Sequence, residues 1–304
     1  MTNSIHQPVL LSEIVEGLGL QTGETLVDCT VNRGGHSTAL CPALGKEGRL
    51  LAIDQDGKAL AAAKTKLKSC PGQVSLVESN FRHLTKVAKQ EGVKRADAVL
   101  FDLGLSSEQL ADPDLGFSFN QDGPLKMSFS DQGGKDGVTA DDVVNNWSEQ
   151  NLTTIIDGFG EESFAGKIAE HIVATRRFQT IETTGQLVEV IRQALPGWYK
   201  EKQRPRHFAT KTFQAIRMAV NDELGAIKEG LEAAWQLLAP GGRLAVISFH
   251  SLEAREVKRF FQAKVKVGEG EWQPRKAIKP TRAEILQNPR SRSAQLRIIN
   301  RVSK

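Results

Sequence analysis

Three aspartates stand where a polar side chain can do chemistry in an α/β protein, because each one directly ends a short apolar run. They are Asp28, Asp54 and Asp102. If the three runs are parallel strands, their carboxyl ends meet at one edge of a sheet, and ligands bind beyond that edge. Carboxylates there are costly if they are buried without partners. We therefore expect the three acids to converge on a ligand site.

A two-glycine turn, Gly34-Gly35, follows the first aspartate and precedes a predicted helix. Glycine allows positive φ and close approach of the backbone to a ligand, although a tight turn alone would explain both residues. Asp54 lies about 20 residues further on, where nucleoside-binding folds hold a ribose hydroxyl pair. The turn is neither G-x-G-x-x-G nor a P-loop. The pattern therefore favours S-adenosylmethionine (SAM) over a dinucleotide.

The elements that must position these residues follow from periodicity and turn signals. Strands are predicted at residues 26–28, 49–54, 74–78, 96–102, 243–250 and 295–300. Between the fourth and fifth of these strands, helices are predicted at residues 139–147, 148–159, 161–176 and 183–195, and a long one at 211–238. We interpret the helical block as an insertion. The prediction is an α/β domain of residues 1–110 and 206–304 with an inserted all-helical domain at 111–205.

Charge is unevenly distributed along the 304 residues. The net charge is only +4, but residues 255–304 hold 14 Lys and Arg against four Asp and Glu. Such asymmetry indicates a polyanionic partner, with a solvated basic tail as the plain alternative. No apolar run is long enough to span a membrane, and residues 1–7 do not resemble a signal peptide. Three cysteines without a CxxC or zinc spacing favour a reducing cytoplasm.

Seven motifs, taken together and in order, resemble one family. They are residues 6–11 (HQPVLL), 33–37 (RGGHS), 101–107 (FDLGLSS), 116–119 (GFSF), 211–217 (KTFQAIR), 247–253 (ISFHSLE) and 288–293 (NPRSRS). The chain is similar to the bacterial 16S rRNA cytosine-N4 methyltransferases, the MraW family. The resemblance implies a class I SAM-dependent, Rossmann-like methyltransferase fold. It also implies N4-methylation of a cytidine near the ribosomal P site, which tunes decoding.

By motif match, the resemblance places one set of residues at the SAM cofactor: Gly34, Gly35, His36, Asp54, Phe81, Asp102 and Gln109. Without it, Phe81 is more simply a core residue. The implied partner is 16S rRNA or the small ribosomal subunit, in the cytoplasm and with no membrane. Whether naked rRNA or an assembled subunit is bound stays open, as does a homodimer.

Catalysis needs an acceptor for the amine hydrogen of the base. Asp102 is the first candidate, and Ser106 and His250 are weaker ones; a structural role for His250 is an equal alternative. No metal is expected, because a sulfonium is already activated. Phosphate contacts are assigned to six cations, each with a solvated face as its alternative. They are Arg204, Arg206, Lys211, Arg290, Arg292 and Arg297.

The chain departs from the family pattern at several positions. Asn32 replaces a glycine, and it suits a left-handed conformation better than most residues. Lys126, Ser128 and Phe129 replace Asp, Arg and Met, and Leu115 replaces Arg. These changes keep two alternatives open. One is a methyltransferase for a different amine, and the other is a catalytically impaired SAM-binding ribosome-assembly factor.

Overall fold

The computed structural model describes residues 8–130, 133–202 and 207–303. The chain divides into two compact units, Met1–Gly104 with Leu224–Lys304, and Leu105–Glu223. The predicted helical domain at 111–205 falls within the second unit, which begins earlier and ends later. The assignment of separate domains stays a prediction. None of the described helices is both long and apolar enough to cross a membrane.

The secondary structure consists of seven strands and fourteen α-helices in the described ranges. The strands are β1 (Thr25–Asp28), β2 (Arg49–Asp54), β3 (Gln73–Glu78), β4 (Ala96–Asp102), β5 (Leu238–Ser248), β6 (Gly270–Trp272) and β7 (Gln295–Arg301). The helices are α1 (Leu11–Leu18), α2 (Gly35–Leu44), α3 (Gly57–Lys66), α4 (Leu84–Gln90), α5 (Ser107–Ala111), α6 (Ala140–Asn146), α7 (Glu149–Gly158), α8 (Ala165–Arg176), α9 (Thr184–Ala194), α10 (Gly197–Lys202), α11 (Thr210–Asn221), α12 (Glu223–Leu237), α13 (Ser251–Lys266) and α14 (Arg282–Gln287).

The first unit is built on one sheet with the strand order β3-β2-β1-β4-β5-β7-β6. The pairs from β3 to β5 are parallel, whereas β7 runs antiparallel to both of its neighbours. Both faces are buried. Leu26, Leu50 and Leu100 pack on one side, and their neighbours Val27 and Leu51 pack on the other. The strand order reverses between β1 and β4, and the carboxyl ends of the parallel strands lie at one edge of the sheet, as predicted.

The second unit is mostly helical, and α6, α7, α8, α9 and α11 enclose its own apolar core. Thr139 and Ser148 cap α6 and α7 by accepting backbone N–H bonds. The predicted helix at 211–238 is wrong as one element. It is two helices, α11 and α12, separated by Asp222 in the left-handed region at φ 47°.

Two of the three cysteines are paired, although their number and spacing suggested free thiols in a reducing compartment. Cys41, on α2, forms a disulfide with Cys70, which lies just before β3, while Cys29 is buried and free. The sparse, odd count did not predict a pairing, because nothing in the sequence indicates that the two segments lie side by side.

Candidate functional site: the carboxyl edge of the sheet

Asp28 is the last residue of β1 and is held from two directions. The Ser37 hydroxyl at the start of α2 donates to Oδ2 at 2.6 Å, and the backbone N–H of Thr30 donates to Oδ1 at 3.2 Å. Only 1% of the side chain is exposed. The first predicted acid is therefore a buried carboxylate that joins strand, turn and helix.

Asp54 is the last residue of β2, and it holds the two-glycine turn in place. Its Oδ2 accepts the backbone N–H of Asn32 at 2.7 Å, and its Oδ1 accepts that of Asp56 at 3.0 Å. Asn32 adopts φ 50°, the left-handed conformation proposed for it. The carboxylate that the sequence assigns to a ribose thus also orders the turn across from it.

The two glycines serve different purposes. Gly34 takes φ 76°, which other residues adopt only with strain. Gly35 needs space instead, since a Cβ there would lie 2.7 Å from Cγ of Pro8. The alternative of a purely structural turn therefore explains part of the motif, and close approach to a ligand is not required at Gly35.

Asp102 is the last residue of β4, and it has the least satisfied side chain of the three. Its backbone N–H donates to the Thr30 hydroxyl at 2.6 Å, which ties the ends of β1 and β4 together. Oδ2 lies 3.6 Å from Nδ1 of His36. Oδ1 is buried and has no hydrogen-bond partner. A buried acceptor of this kind leaves room for a donor or positive charge from a ligand.

His36 does not neutralise this carboxylate. Its Nε2 lies 2.9 Å from the carbonyl oxygen of Val9, so the ring N–H is placed on Nε2 and the lone pair of Nδ1 faces Asp102. Burial lowers the pKa of His36, which keeps the ring neutral at pH 7. Two acceptors therefore face each other at the carboxyl edge.

The electrostatics of the edge follow from its burial. Burial raises the pKa of Asp28 and of Asp54 to about 6. Burial, with the charge of Glu253 second, raises the pKa of Asp102 to about 7. Among the described residues, no Lys or Arg forms an ion pair with any of these three acids. The edge is thus an anionic site that lacks its own counter-cation, which suits a ligand with a positive charge.

His250 caps α13 through its Nδ1, whereas its buried Nε2 forms no hydrogen bond within the described residues. Its Nδ1 accepts the backbone N–H of Glu253 at 3.4 Å, and its Nε2 lies 3.1 Å from Glu253 Oε1. Glu253 Oε2 in turn accepts the backbone N–H of Phe249 at 2.8 Å. This geometry favours the structural alternative for His250 over a free general base.

Phe81 packs edge-on against Phe101, with ring centroids 5.4 Å apart, and lies against the core of the first unit. Its ring is half-buried, so the core and cofactor interpretations are compatible. Asn80, just before it, bonds Gln55 at 2.9 Å, which links the loops after β2 and β3.

Three other predicted residues belong to the second unit. Ser106 and Gln109 belong to the second unit, where each accepts the other's backbone N–H at 3.0 Å in a cap of α5. Lys211 donates to the carbonyl of Glu161 at 2.7 Å and lies 3.9 Å from buried Glu162. Arg204 and Arg206 lie outside the described residues.

The C-terminal cations divide into two kinds. Arg290 and Arg292 are exposed and have no acidic partner in the described part of the chain. Arg297 instead stacks over the Trp272 ring at 5.7 Å and donates to the carbonyl of Arg275 at 3.5 Å. Burial lowers the pKa of Arg297. The guanidinium group of Arg297 is therefore partly engaged by contacts within the protein.

Comparison with known proteins decides the family. The family model described as the MraW methylase family matches residues 3–302. The chain belongs to the MraW methylase family. The fold class and the SAM cofactor expected from the motifs are confirmed at this level.

Two relatives show how closely the family resembles this chain. Ribosomal RNA small subunit methyltransferase H of Symbiobacterium thermophilum is 44% identical over 309 residues, with 97% of this chain and 96% of the relative covered. The protein of the same name from a Paenibacillus species is 42% identical over 318 residues, with 98% and 99% covered. A solved rRNA methylase from Streptococcus thermophilus is 11% identical, with a TM-score of 0.43, and covers 98% of this chain and 99% of its own.

Departures from the MraW pattern are accommodated within the second unit. Ser128 is buried, and its hydroxyl donates to the carbonyl of Ser130 at 2.8 Å. Phe129 packs on Phe117, with centroids 5.3 Å apart. Lys126 is exposed. Contacts made by Ser128 and Phe129 therefore hold this segment in place, without the acid and arginine of the family pattern.

Three residues of the edge were missed by sequence reasoning. Thr30 and Ser37 bond the neighbouring backbone and carboxylate, and Glu253 raises the pKa of Asp102 through its charge. The hydroxyl residues flank the glycine turn, so their position was a usable signal. The approach of Glu253 to Asp102 depends on the pairing of β4 with β5, which the sequence does not reveal.

Proposed function

We propose that the chain transfers the methyl group of SAM to the exocyclic N4 amine of a cytidine in 16S rRNA, near the ribosomal P site, where the modification tunes decoding. The small-subunit rRNA named for its 42–44% identical relatives supports the substrate class. The choice of cytidine N4 and of its location rests on the motif resemblance.

One observation carries the proposal: among the described residues, no Lys or Arg pairs with the buried Asp28 or the half-buried Asp54 and Asp102, and the buried Oδ1 of Asp102 has no hydrogen-bond partner. A nucleoside sulfonium fits such a site, because its charge and hydroxyl donors complement what the edge lacks. Asp54 would accept ribose hydroxyls, while the turn at Gly34, Gly35 and His36 would contact the cofactor. When bound, SAM supplies an already activated methyl group.

Asp102 would act on the amine. The lone pair of a cytosine amine is delocalised into the ring, so the nitrogen is a weak nucleophile. A carboxylate oxygen that accepts an amine hydrogen favours pyramidal geometry, and general-base assistance of this kind contributes about 10²–10⁴-fold. Holding the nitrogen in line with the methyl group contributes about 7–11 kcal/mol of the barrier. The pKa of Asp102, about 7, lies near the working pH that such a base needs.

The target base must be unstacked or single-stranded to reach a buried edge. We assign the inserted helical domain at 111–205 to substrate recognition, and backbone phosphates to the cations named from the sequence. Because its substrate is ribosomal, we place the protein in the cytoplasm. A homodimer is not part of the proposal.

The decisive experiment uses labelled SAM and small ribosomal subunits from cells that lack this methyltransferase. Label on the N4 amine of one cytidine supports the proposal. Label on a different amine would favour the alternative raised by Lys126 and Ser128, and rRNA binding without transfer would favour the assembly factor. Calorimetry of Asp54→Asn, with the exposed Glu47→Gln as control, tests the cofactor site separately. We expect SAM to bind at least tenfold more weakly to Asp54→Asn alone.

A further inference from the structure

The segment from residue 273 to 293 carries six exposed cations and one acid. We call these six residues the basic ridge: Arg275, Lys276, Lys279, Arg282, Arg290 and Arg292. All of them lie in the first unit. The only acid of the segment, Glu284, is already used, because its Oε1 accepts the backbone N–H of Leu10 at 2.8 Å. With six cations against this one acid, residues 273–293 carry a net charge of +5.

None of the six cations has an acidic partner among the described residues. The preceding helix, α13, shows the opposite arrangement. There Glu256 lies 3.0 Å from Arg259 and 3.9 Å from Lys228 of α12, and Lys264 lies 3.2 Å from Glu232. Arg259 and Lys264 of α13 are thus paired with acids of the protein, whereas the cations of the basic ridge are not paired within the described residues. Unpaired surface charge of one sign over a short segment marks a surface for a polyanion.

The backbone beneath the ridge is held in place, although much of it is neither helix nor strand. Ile278 and Leu296 of β7 exchange both backbone hydrogen bonds at 2.9 Å. Buried Ser291 bonds Asn288 through its N–H at 3.0 Å and its hydroxyl at 2.8 Å. The cations are therefore presented from fixed points, so less conformational entropy is lost on binding than for a flexible tail.

We propose that the basic ridge binds the sugar–phosphate backbone of the rRNA substrate, as a docking surface separate from the carboxyl edge. The inference rests on the proposed function for its partner. It adds Arg275, Lys276, Lys279 and Arg282 to the RNA contacts named from the sequence, and it leaves out Arg297, which Trp272 and the Arg275 carbonyl engage. All six are arginines or lysines that lie within 18 residues of one another in the sequence, and such a series of cations suits phosphate charge rather than base identity.

The test neutralises four ridge residues together, in Arg275→Gln/Lys276→Gln/Lys279→Gln/Arg282→Gln. The matched control removes the same charge from exposed lysines of α3, of the turn directly after it and of α4, in Lys64→Gln/Lys66→Gln/Lys68→Gln/Lys86→Gln. The probe is the small ribosomal subunit lacking the modification, titrated at several salt concentrations. Each lost phosphate contact reduces the salt slope by about 0.7–0.9. We expect the slope to fall by about 3 and the affinity at low salt to fall tenfold or more, for the ridge variant only.

Three readouts keep the inference open to contradiction. An unchanged salt slope in the ridge variant, or an equal loss in the control variant, would overturn it. Loss of binding to phosphatidylglycerol vesicles without loss of subunit binding would overturn it in favour of a membrane surface. SAM affinity by calorimetry should be the same in both variants, which shows that they are folded. If the wild-type chain binds subunits through the ridge but transfers no methyl group, the proposed function fails while the docking surface stands.

Discussion

The two ends of the same sheet treat buried charge in opposite ways. At the amino end, Arg243 of β5 donates to both carboxylate oxygens of Glu24, at 2.7 and 2.8 Å, and to the carbonyl of Leu18 at 2.7 Å. At the carboxyl end, Asp28, Asp54 and Asp102 have no such partner in the part of the chain that the structure describes. The buried charge at the amino end is therefore paired within the protein, whereas the carboxylates at the carboxyl end are available to a ligand.

The pKa values record this difference. Burial alone would raise the pKa of Glu24, but hydrogen bonds from Arg243 and from the N–H of Gln21 lower it overall. At the other end burial dominates, and the pKa of Asp102 rises to about 7. A satisfied ion pair stabilises the fold, whereas an unsatisfied carboxylate costs stability in exchange for a site. The same sheet therefore separates a structural end from a functional end.

Replacing the least satisfied acid, Asp102→Asn, gives the largest effect that the comparison predicts. Methyl transfer to small subunits should fall by about 10²–10⁴-fold, because the acceptor for the amine hydrogen is lost. Initial rates with labelled SAM measure this change. The exposed Asp157→Asn serves as control and should keep full activity. Full activity of Asp102→Asn would remove this residue from the mechanism.

The same variant should be more stable than the parent chain, and increasingly so with pH. Asp102 has a folded pKa of about 7 against an ordinary 3.8, so the folded state holds its proton while the unfolded state releases it. The parent therefore loses stability as pH rises from about 4 to 7. The advantage of Asp102→Asn should be near zero at pH 4 and reach up to about 4 kcal/mol above pH 7. Urea unfolding at pH 5 and pH 8 measures it.

At the amino end, Arg243→Gln should have the reverse outcome. Breaking the pair leaves Glu24 partly buried without its cation, at a cost of about 2–4 kcal/mol in the free energy of unfolding. SAM affinity of the folded variant should stay within about twofold. Arg259→Gln, which breaks an exposed pair with Glu256, should cost about 0.5 kcal/mol or less. A large loss of SAM affinity in Arg243→Gln would erase the distinction between the two ends.

The smallest effect concerns the link between β1 and β4. Thr30→Val removes the hydroxyl that accepts the Asp102 N–H, a bond that typically contributes about 1 kcal/mol. We expect kcat to fall about fivefold to tenfold with little change in KM for SAM, because Asp102 loses a positioning contact. Thr30→Ser keeps the hydroxyl and should restore the rate. A defect in Thr30→Ser with none in Thr30→Val would mean that the methyl group matters instead of the hydroxyl.

The functional end was predictable because its signals are local. Asp28, Asp54 and Asp102 each end a short apolar run, so the run and its terminal acid are visible in the sequence. The left-handed Asn32 was also predictable, since few residue types tolerate that conformation. The hydrogen-bond partners of these acids, by contrast, depend on which strands are neighbours in the sheet.

The structural end was not predictable for the same reason. Arg243 and Glu24 lie far apart in the sequence and meet only because β5 and β1 both flank β4. The break at Asp222 was missed because neither glycine nor proline marks it. His250 was proposed for catalysis because it follows a strand. Its role as the cap of α13, together with Glu253, could be predicted only if the first residue of α13 were known.

The strand order has a consequence for biosynthesis. β4 gains its second neighbour, β5, only after the whole of Leu105–Glu223 has been translated. Until then the nascent chain exposes β4 as an unpaired edge, a template for wrong pairing. Ribosome-bound intermediates that end before residue 238 should therefore depend on chaperones. SAM can stabilise the native strand order by binding only after β5 has been translated.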